Sequence, residues 1–185
     1  MDPEYRPSFQ DQFRVRRRRA LLERLRVLLT PDGARLLDLG GGTGATTVEF
    51  GRGAKEVVVL EPDERKVARG QAARTPVTFA SGVAESIPYP DERFDRVTSL
   101  LSFHHFSRGD DALREAARVL VPGGRLVLYD IDPSSWAARW MGLFLRNHPN
   151  GFATPSELEQ KLLAAGFRTA RREPIRSGTF LVADR

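Results

Sequence analysis

The sequence predicts an α/β domain built on a doubly wound, mostly parallel sheet, and three observations predict it. Short β-branched or leucine-rich runs alternate with helix-like segments. The first run, Leu36-Leu37-Asp38-Leu39, stops on Gly40-Gly41-Gly42-Thr43-Gly44. The second, Glu56-Val57-Val58-Val59-Leu60, ends at Glu61, seventeen positions after Gly44. A strand, a glycine turn, a helix over Ala45 to Phe50 and a second strand make a βαβ unit, in which parallel strands are joined through a crossover helix. Glycine weakens regular elements and is kept where the backbone takes positive φ or lies close to a ligand. Four glycines in five positions therefore mark a pocket rather than an ordinary tight turn. Backbone N–H groups and the helix N-terminus would approach a nucleotide-like ligand there.

Before the first strand, Leu21, Leu22, Leu25, Leu28 and Leu29 recur at helical spacing behind Arg16-Arg17-Arg18-Arg19, which reads as an amphipathic helix with a solvated basic face. The chain has a net charge of +5, and the excess lies in its ends. Residues 1–30 hold eight Arg against four acids, residues 166–185 five against two, and the stretch between is slightly acidic. A face that grips a phosphate backbone would spread Lys and Arg around the pocket, so nucleic acid is the lesser alternative as a partner and a small molecule the favoured one. A chain of 185 residues suffices for one sizeable core and falls short of two full domains. The expected organisation is a helical extension over residues 1–30 and one domain over residues 31–185, as monomer or homodimer. No apolar run approaches the roughly 18 residues of a membrane span, and Met1 to Pro7 lack the core of a signal peptide, so a soluble, cytoplasmic protein is expected. With no cysteine and three histidines, disulfides and thiolate chemistry are excluded, and no metal centre is expected.

Two cofactor classes use such a glycine turn. Gly40, Gly42 and Ala45 satisfy the G-x-G-x-x-G/A dinucleotide pattern, while Asp38, Gly40, Gly42 and Gly44 give D-x-G-x-G-x-G. The second resembles motif I of the class I S-adenosylmethionine-dependent methyltransferases. Asp38 favours it: an acid ahead of the glycines can hold the ammonium of a methionine moiety and would repel a pyrophosphate. Glu61, followed by Pro62-Asp63 and a helical segment Glu64 to Ala73, stands where such folds place a carboxylate for ribose hydroxyls.

Val77 to Ala80 reads as a third strand. The stretch Ser81-Gly82-Val83-Ala84-Glu85-Ser86-Ile87-Pro88-Tyr89-Pro90-Asp91-Glu92-Arg93-Phe94-Asp95 then resembles the ubiquinone/menaquinone-methyltransferase-like (methyltransferase type 11) branch of that superfamily. There a G-D-A-x-x-L-P-F-P-D-x-x-F-D stretch walls the adenine pocket. Further on, a helix over Asp110 to Leu120, the turn Pro122-Gly123-Gly124 and a fifth strand over Arg125 to Asp130 resemble the family's L-R-E-x-x-R-V-L-x-P-G-G-x-L-x-x-x-D block. The resemblance covers most of residues 36–130. It implies a Rossmann-like, seven-stranded sheet with a C-terminal antiparallel hairpin, S-adenosylmethionine as cofactor and S-adenosylhomocysteine as product. The implied cofactor-binding residues are Asp38, Gly40, Gly41, Gly42, Gly44, Glu61, Pro62, Val83, Ala84, Glu85 and Leu101. Val83 departs from the family, which has an acid there to cap the adenine amine, and shifts adenine recognition towards the Ala84 backbone and Glu85.

A fourth strand over Arg96 to Leu101 runs into Ser102-Phe103-His104-His105-Phe106. Ligands of doubly wound sheets bind beyond the C-terminal strand ends, which brings His104, His105, Tyr129 and Asp130 near a methyl acceptor. Histidine is the natural base near neutral pH, so His104 and His105 are the catalytic candidates. Residues 133–151 read as a helical lid insertion; Trp136, Trp140 and Phe144, with Tyr129, are the candidate acceptor-facing residues. A helix capped by Thr154 with Pro155 in its first turn runs to Ala165, and strands near Arg171 to Arg176 and Thr179 to Ala183 close the chain as a hairpin. The expected reaction is methyl transfer to an O, N or C nucleophile of a small, partly apolar molecule. The alternatives are an RNA-directed methyltransferase using the Arg-rich N-terminus, a cofactor-binding protein without turnover and, more distantly, a dehydrogenase.

Overall fold

The computed structural model describes residues 9–130, 132, 153–175 and 178–185, with residues 9–17 described by their backbone alone. The chain runs through α1 (Phe9–Leu29), β1 (Arg35–Leu39), α2 (Thr47–Phe50), β2 (Glu56–Glu61), α3 (Glu64–Ala72), β3 (Thr78–Ser81) and β4 (Phe94–Leu100). A 3₁₀ turn (Phe103–His105) and α4 (Gly109–Val119) precede β5 (Leu120–Tyr129), α5 (Pro155–Ala164), β6 (Thr169–Ile175) and β7 (Gly178–Asp184). The expected lid, with Trp136, Trp140, Phe144 and His148, lies outside the described residues.

The strands form one sheet in the order β3-β2-β1-β4-β5-β7-β6. β1 pairs in parallel with both β2 and β4, β2 with β3, and β4 with β5, whereas β7 is antiparallel to β5 and to β6. The doubly wound, mostly parallel sheet with a terminal hairpin is thus the fold expected. The strand order reverses between β1 and β4, and the C-terminal ends of β1, β2 and β4 open towards one edge, where doubly wound sheets hold their ligands.

Alternation along each strand sends successive side chains to opposite faces. Leu37, Leu39, Val97, Leu126 and Leu128 pack with Ala112, Leu113 and Ala116 of α4 and with Leu158 and Leu162 of α5. Leu36, Val127, Tyr129, Phe180 and Val182 meet Leu22, Leu25, Leu28 and Leu29 of α1 on the other face. The leucines of the N-terminal helix are therefore part of the sheet's own core. Its last carbonyls are held by strand arginines: Arg96 Nε donates to Leu29 O at 2.6 Å and Arg125 Nη1 to Leu28 O at 3.2 Å. These satisfy acceptors that a helix end leaves without intrahelical donors.

Several boundaries differ from the sequence expectation. The helix expected from Ala45 begins only at Thr47, with Gly41 to Thr46 in turns. Two successive threonines favour side-chain hydrogen bonding over helix entry, and the Thr47 hydroxyl is taken by Asp38. β5 starts before the Pro122-Gly123-Gly124 turn: Leu120 pairs with Phe94 and Arg125 with Arg96, so the turn bulges out of a continuing ladder. At α5, Thr154 accepts from Glu157 N while Glu157 Oε2 accepts from Thr154 N, a complete capping box. No helix among the described residues is long and apolar enough to cross a membrane.

Candidate active site

β1 ends on a glycine loop that three different side chains crowd. A side-chain carbon on Gly40 would lie 2.7 Å from Ser102 Cβ, one on Gly44 would lie 2.8 Å from the Phe79 ring, and one on Gly41 would overlap the Asp38 carboxylate. Only at Gly42, with φ +61°, does nothing stand within 4 Å of that position. Gly42 is thus the loop residue that faces open space, as close approach of a ligand to the backbone requires. The short α2 contributes little as a helix terminus, so the donors around the loop come from the loop backbone.

Asp38 is buried at 2% exposure beneath this loop. Its Oδ2 accepts from Thr47 Oγ1 at 2.6 Å, while the buried Oδ1 has no partner among the described residues. Burial pushes the carboxyl up to about 7, with the nearby Glu61 charge adding to the rise and the Thr47 bond opposing it. Glu61, also buried, closes β2. Its Oε2 accepts from Gly42 N at 3.0 Å, and Oε1 accepts from Asp63 N at 3.2 Å and Lys66 Nζ at 3.4 Å.

Beyond the strand ends lies a cleft of about 650 Å³, within the roughly 300–1,000 Å³ of small-molecule sites. Of the sequence candidates it brings together Gly40, Glu61, Pro62, Val83, Ala84, Glu85, Leu101 and His105. Val83 and Leu101 are 46% and 44% exposed, and Leu101 holds φ +55°, a strained value for a branched side chain at a strand end. Glu85 borders the cleft, yet its Oε1 accepts from Ser107 N at 2.5 Å and Arg108 N at 3.1 Å. Through Oε1 its carboxylate ties the adenine-wall segment to the start of α4.

The two histidines divide. His105 is exposed and lines the cleft. His104 turns inward, 6% exposed, and binds Asp130 through its backbone N–H (2.8 Å) and Nδ1 (2.6 Å). His104, expected beside the acceptor, is thus engaged by Asp130 and absent from the cleft lining, which includes His105. The rings still touch, centroids 4.0 Å apart. Tyr129 also differs from the expectation. Alternation along β5 sends it to the α1 face, where it is 7% exposed against Phe180 (ring centroids 4.8 Å), away from the cleft lining. The reading missed Ser102, Phe106, Ser107 and Lys66 as lining residues. Ser102 could have been found from its position just past β4; its hydroxyl donates to Gly40 O at 2.9 Å and joins the two strand ends.

A buried acid and a glycine loop on β1, a second carboxylate closing β2 and a cleft at the strand reversal define the cofactor-binding α/β class that includes S-adenosylmethionine-dependent methyltransferases. The methyltransferase domain family model matches residues 37–128. A demethylmenaquinone methyltransferase of Deinococcus radiodurans is 31% identical over 167 residues, covering 75% of this chain and 69% of that relative. The C-methyltransferase UbiE of ubiquinone/menaquinone biosynthesis from Azotobacter vinelandii is 36% identical over 114 residues, 56% of this chain and 44% of that protein. The chain thus spans less than half the length of this second relative. Among solved structures, the YcgJ protein of Bacillus superposes with a TM-score of 0.71 at 26% identity, over 85% of this chain and 74% of that one. The chain belongs to the methyltransferase domain family, in its S-adenosylmethionine-dependent, UbiE-like branch. Its cofactor is S-adenosylmethionine and the product of that cofactor S-adenosylhomocysteine.

Proposed function

We propose that the chain transfers the methyl group of S-adenosylmethionine to an oxygen, nitrogen or carbon nucleophile of a small, partly apolar molecule in the cytoplasm. The observation that carries this reading is the open approach at Gly42, flanked by the buried carboxylates of Asp38 and Glu61. These residues suit the cofactor. Glu61 would accept from ribose hydroxyls, Asp38 would meet the ammonium with its unpartnered oxygen, and Val83 and Ala84 would wall the adenine. When bound, the sulfonium supplies a methyl group that is already activated. The protein's share is then alignment of the acceptor, exclusion of water and removal of any acceptor proton. His105 is the side chain in the cleft suited to take that proton, and the His104–Asp130 pair fixes the turn that carries it. Residues 133–151, with Trp136, Trp140 and Phe144, would form the acceptor lid.

The relatives support a quinol-like acceptor, since one is a demethylmenaquinone methyltransferase and the other a C-methyltransferase of ubiquinone/menaquinone biosynthesis. Against an RNA substrate, Arg18 is paired with Glu49 at 2.7 Å and Arg19 with Glu23 at 2.9 Å, so each has an acidic neighbour within the chain. The test is a panel of quinol, phenol and amine acceptors alongside tRNA and rRNA, each incubated with methyl-labelled cofactor. Label in a small molecule, unchanged when Arg16 to Arg19 are all replaced by Gln, supports the reading. Label in RNA alone, lost in that variant, would replace it with the nucleic-acid reading.

A further inference from the structure

We infer that Thr47 is a positioning residue for the methionine end of the cofactor: its hydroxyl holds the buried Asp38 carboxylate with one oxygen kept for an ammonium group. The inference rests on the proposed placement of the cofactor in this cleft. Thr47 is fully buried, and its Oγ1 donates to Asp38 Oδ2 at 2.6 Å. That hydroxyl is not spent on starting a helix: the position before α2 is Thr46, whose side chain makes no capping bond. A side-chain carbon on Gly41 would overlap the Asp38 carboxylate and lie 3.2 Å from Thr47 Oγ1, so the pair sits directly against the backbone of the loop. Asp38 Oδ1, also buried, has no hydrogen-bond partner among the described residues.

A carboxylate removed from water and left half satisfied is costly unless a cation completes it. Among the described residues no Lys or Arg does so: Lys66 is held by Glu61, on the neighbouring strand. A ligand cation is therefore the fitting partner, and of the two that this cofactor carries, the α-ammonium, unlike the sulfonium, can also donate a hydrogen bond. Thr47 favours that encounter in two ways. Its donated bond fixes the carboxylate's rotation, and it stabilises the ionised form that the cation needs, against the desolvation that opposes ionisation. The sequence offers only a threonine in a helix start, with nothing to single it out.

The experiment compares two ligands that differ at this end. S-adenosylhomocysteine carries the ammonium; 5′-methylthioadenosine keeps the adenosine and the sulfur and lacks the amino-acid end. Both are titrated calorimetrically into wild type, Thr47→Val and Thr47→Ser. Thr47→Val should weaken S-adenosylhomocysteine about tenfold or more, as loss of a hydrogen bond to a charged group predicts, while 5′-methylthioadenosine stays within about twofold and Thr47→Ser restores the first ligand. Equal weakening of both ligands would make Thr47 a packing residue, and unchanged S-adenosylhomocysteine affinity in Thr47→Val would leave it no role; either overturns the inference while the cofactor reading stands. Wild-type protein that binds neither ligand would overturn the cofactor reading and this inference with it.

Discussion

Glu61 and Gly42 are joined across the edge of the sheet: the Gly42 N–H donates to Glu61 Oε2 at 3.0 Å, so the carboxylate at the end of β2 holds the one loop glycine that faces open space. The residue proposed to receive the ribose thus also sets the position of the loop. Two functions in one side chain sharpen what its removal should do. Glu61→Ala should weaken S-adenosylhomocysteine by about 1.5–3 kcal/mol, the scale of hydrogen bonds to a charged acceptor. Glu61→Gln, which keeps an acceptor for Gly42, should fall between wild type and Ala. Calorimetric titration of the three proteins checks this, and unchanged affinity in Glu61→Ala would remove the ribose assignment.

Val83 is 46% exposed on the cleft, and the neighbouring Glu85 carboxylate is engaged by the first amides of the α4 segment. An adenine amine beside Val83 would therefore lack the acid that the family pattern places at that position. Val83→Asp should tighten S-adenosylhomocysteine severalfold, in line with about 1 kcal/mol for one added hydrogen bond. A loss of affinity in that variant would mean that the valine packs on the adenine face, and that packing outweighs the bond.

Asp38 gives the site a pH dependence whose sign follows from its raised value, near 7 in the folded protein against the ordinary carboxylate range of the unfolded chain. Between these, the unliganded folded state holds a proton that the unfolded chain has lost, so this group's contribution to stability falls as pH rises through that window and levels above it. Ligand binding runs the other way. An ammonium prefers the ionised acid, so affinity for S-adenosylhomocysteine should climb with pH below about 7, approaching tenfold per unit, and flatten above it. Asp38→Asn should bind more weakly and lose most of that slope. Titrations from mildly acidic to mildly alkaline pH decide it; a slope that persists in Asp38→Asn would assign the dependence to another group.

His105 and His104 should separate in their effects. His105→Gln should leave cofactor affinity near wild type and lower turnover by about 10²-fold for an acceptor that must lose a proton. His104→Ala empties a buried position and leaves Asp130 short of one donor, so it should cost about 1–3 kcal/mol of stability. Thermal melts and single-turnover rates on the accepted substrate tell the two apart.

The strands and the glycine loop were legible in the sequence because each has a local cause. A β-branched run needs a sheet, and a cluster of glycines needs crowding or a ligand. The leucines of α1 likewise announced a buried stripe, although their partners Val127, Phe180 and Val182 come from strands far along the chain. What failed to show was direction. Whether Tyr129 faces the cleft or α1 depends on the register of β5, which the bulge at Pro122 to Gly124 shifts. Which histidine turns inward depends on Asp130, twenty-six residues further along the chain. Glu85 looked like a ligand for adenine because its contacts, Ser107 and Arg108, are distant in sequence and donate through backbone that carries no signal. Thr47 was invisible because only the fold brings its hydroxyl onto Asp38, nine residues earlier.

The most direct measurement is calorimetric titration of the purified chain with S-adenosylhomocysteine and, separately, with NADH. The account predicts saturable binding of S-adenosylhomocysteine, abolished in Gly42→Val because a side chain would fill the open approach to the loop, and no binding of NADH, whose pyrophosphate would meet the carboxylates of Asp38 and Glu61. Binding of NADH with no detectable heat from S-adenosylhomocysteine would contradict it.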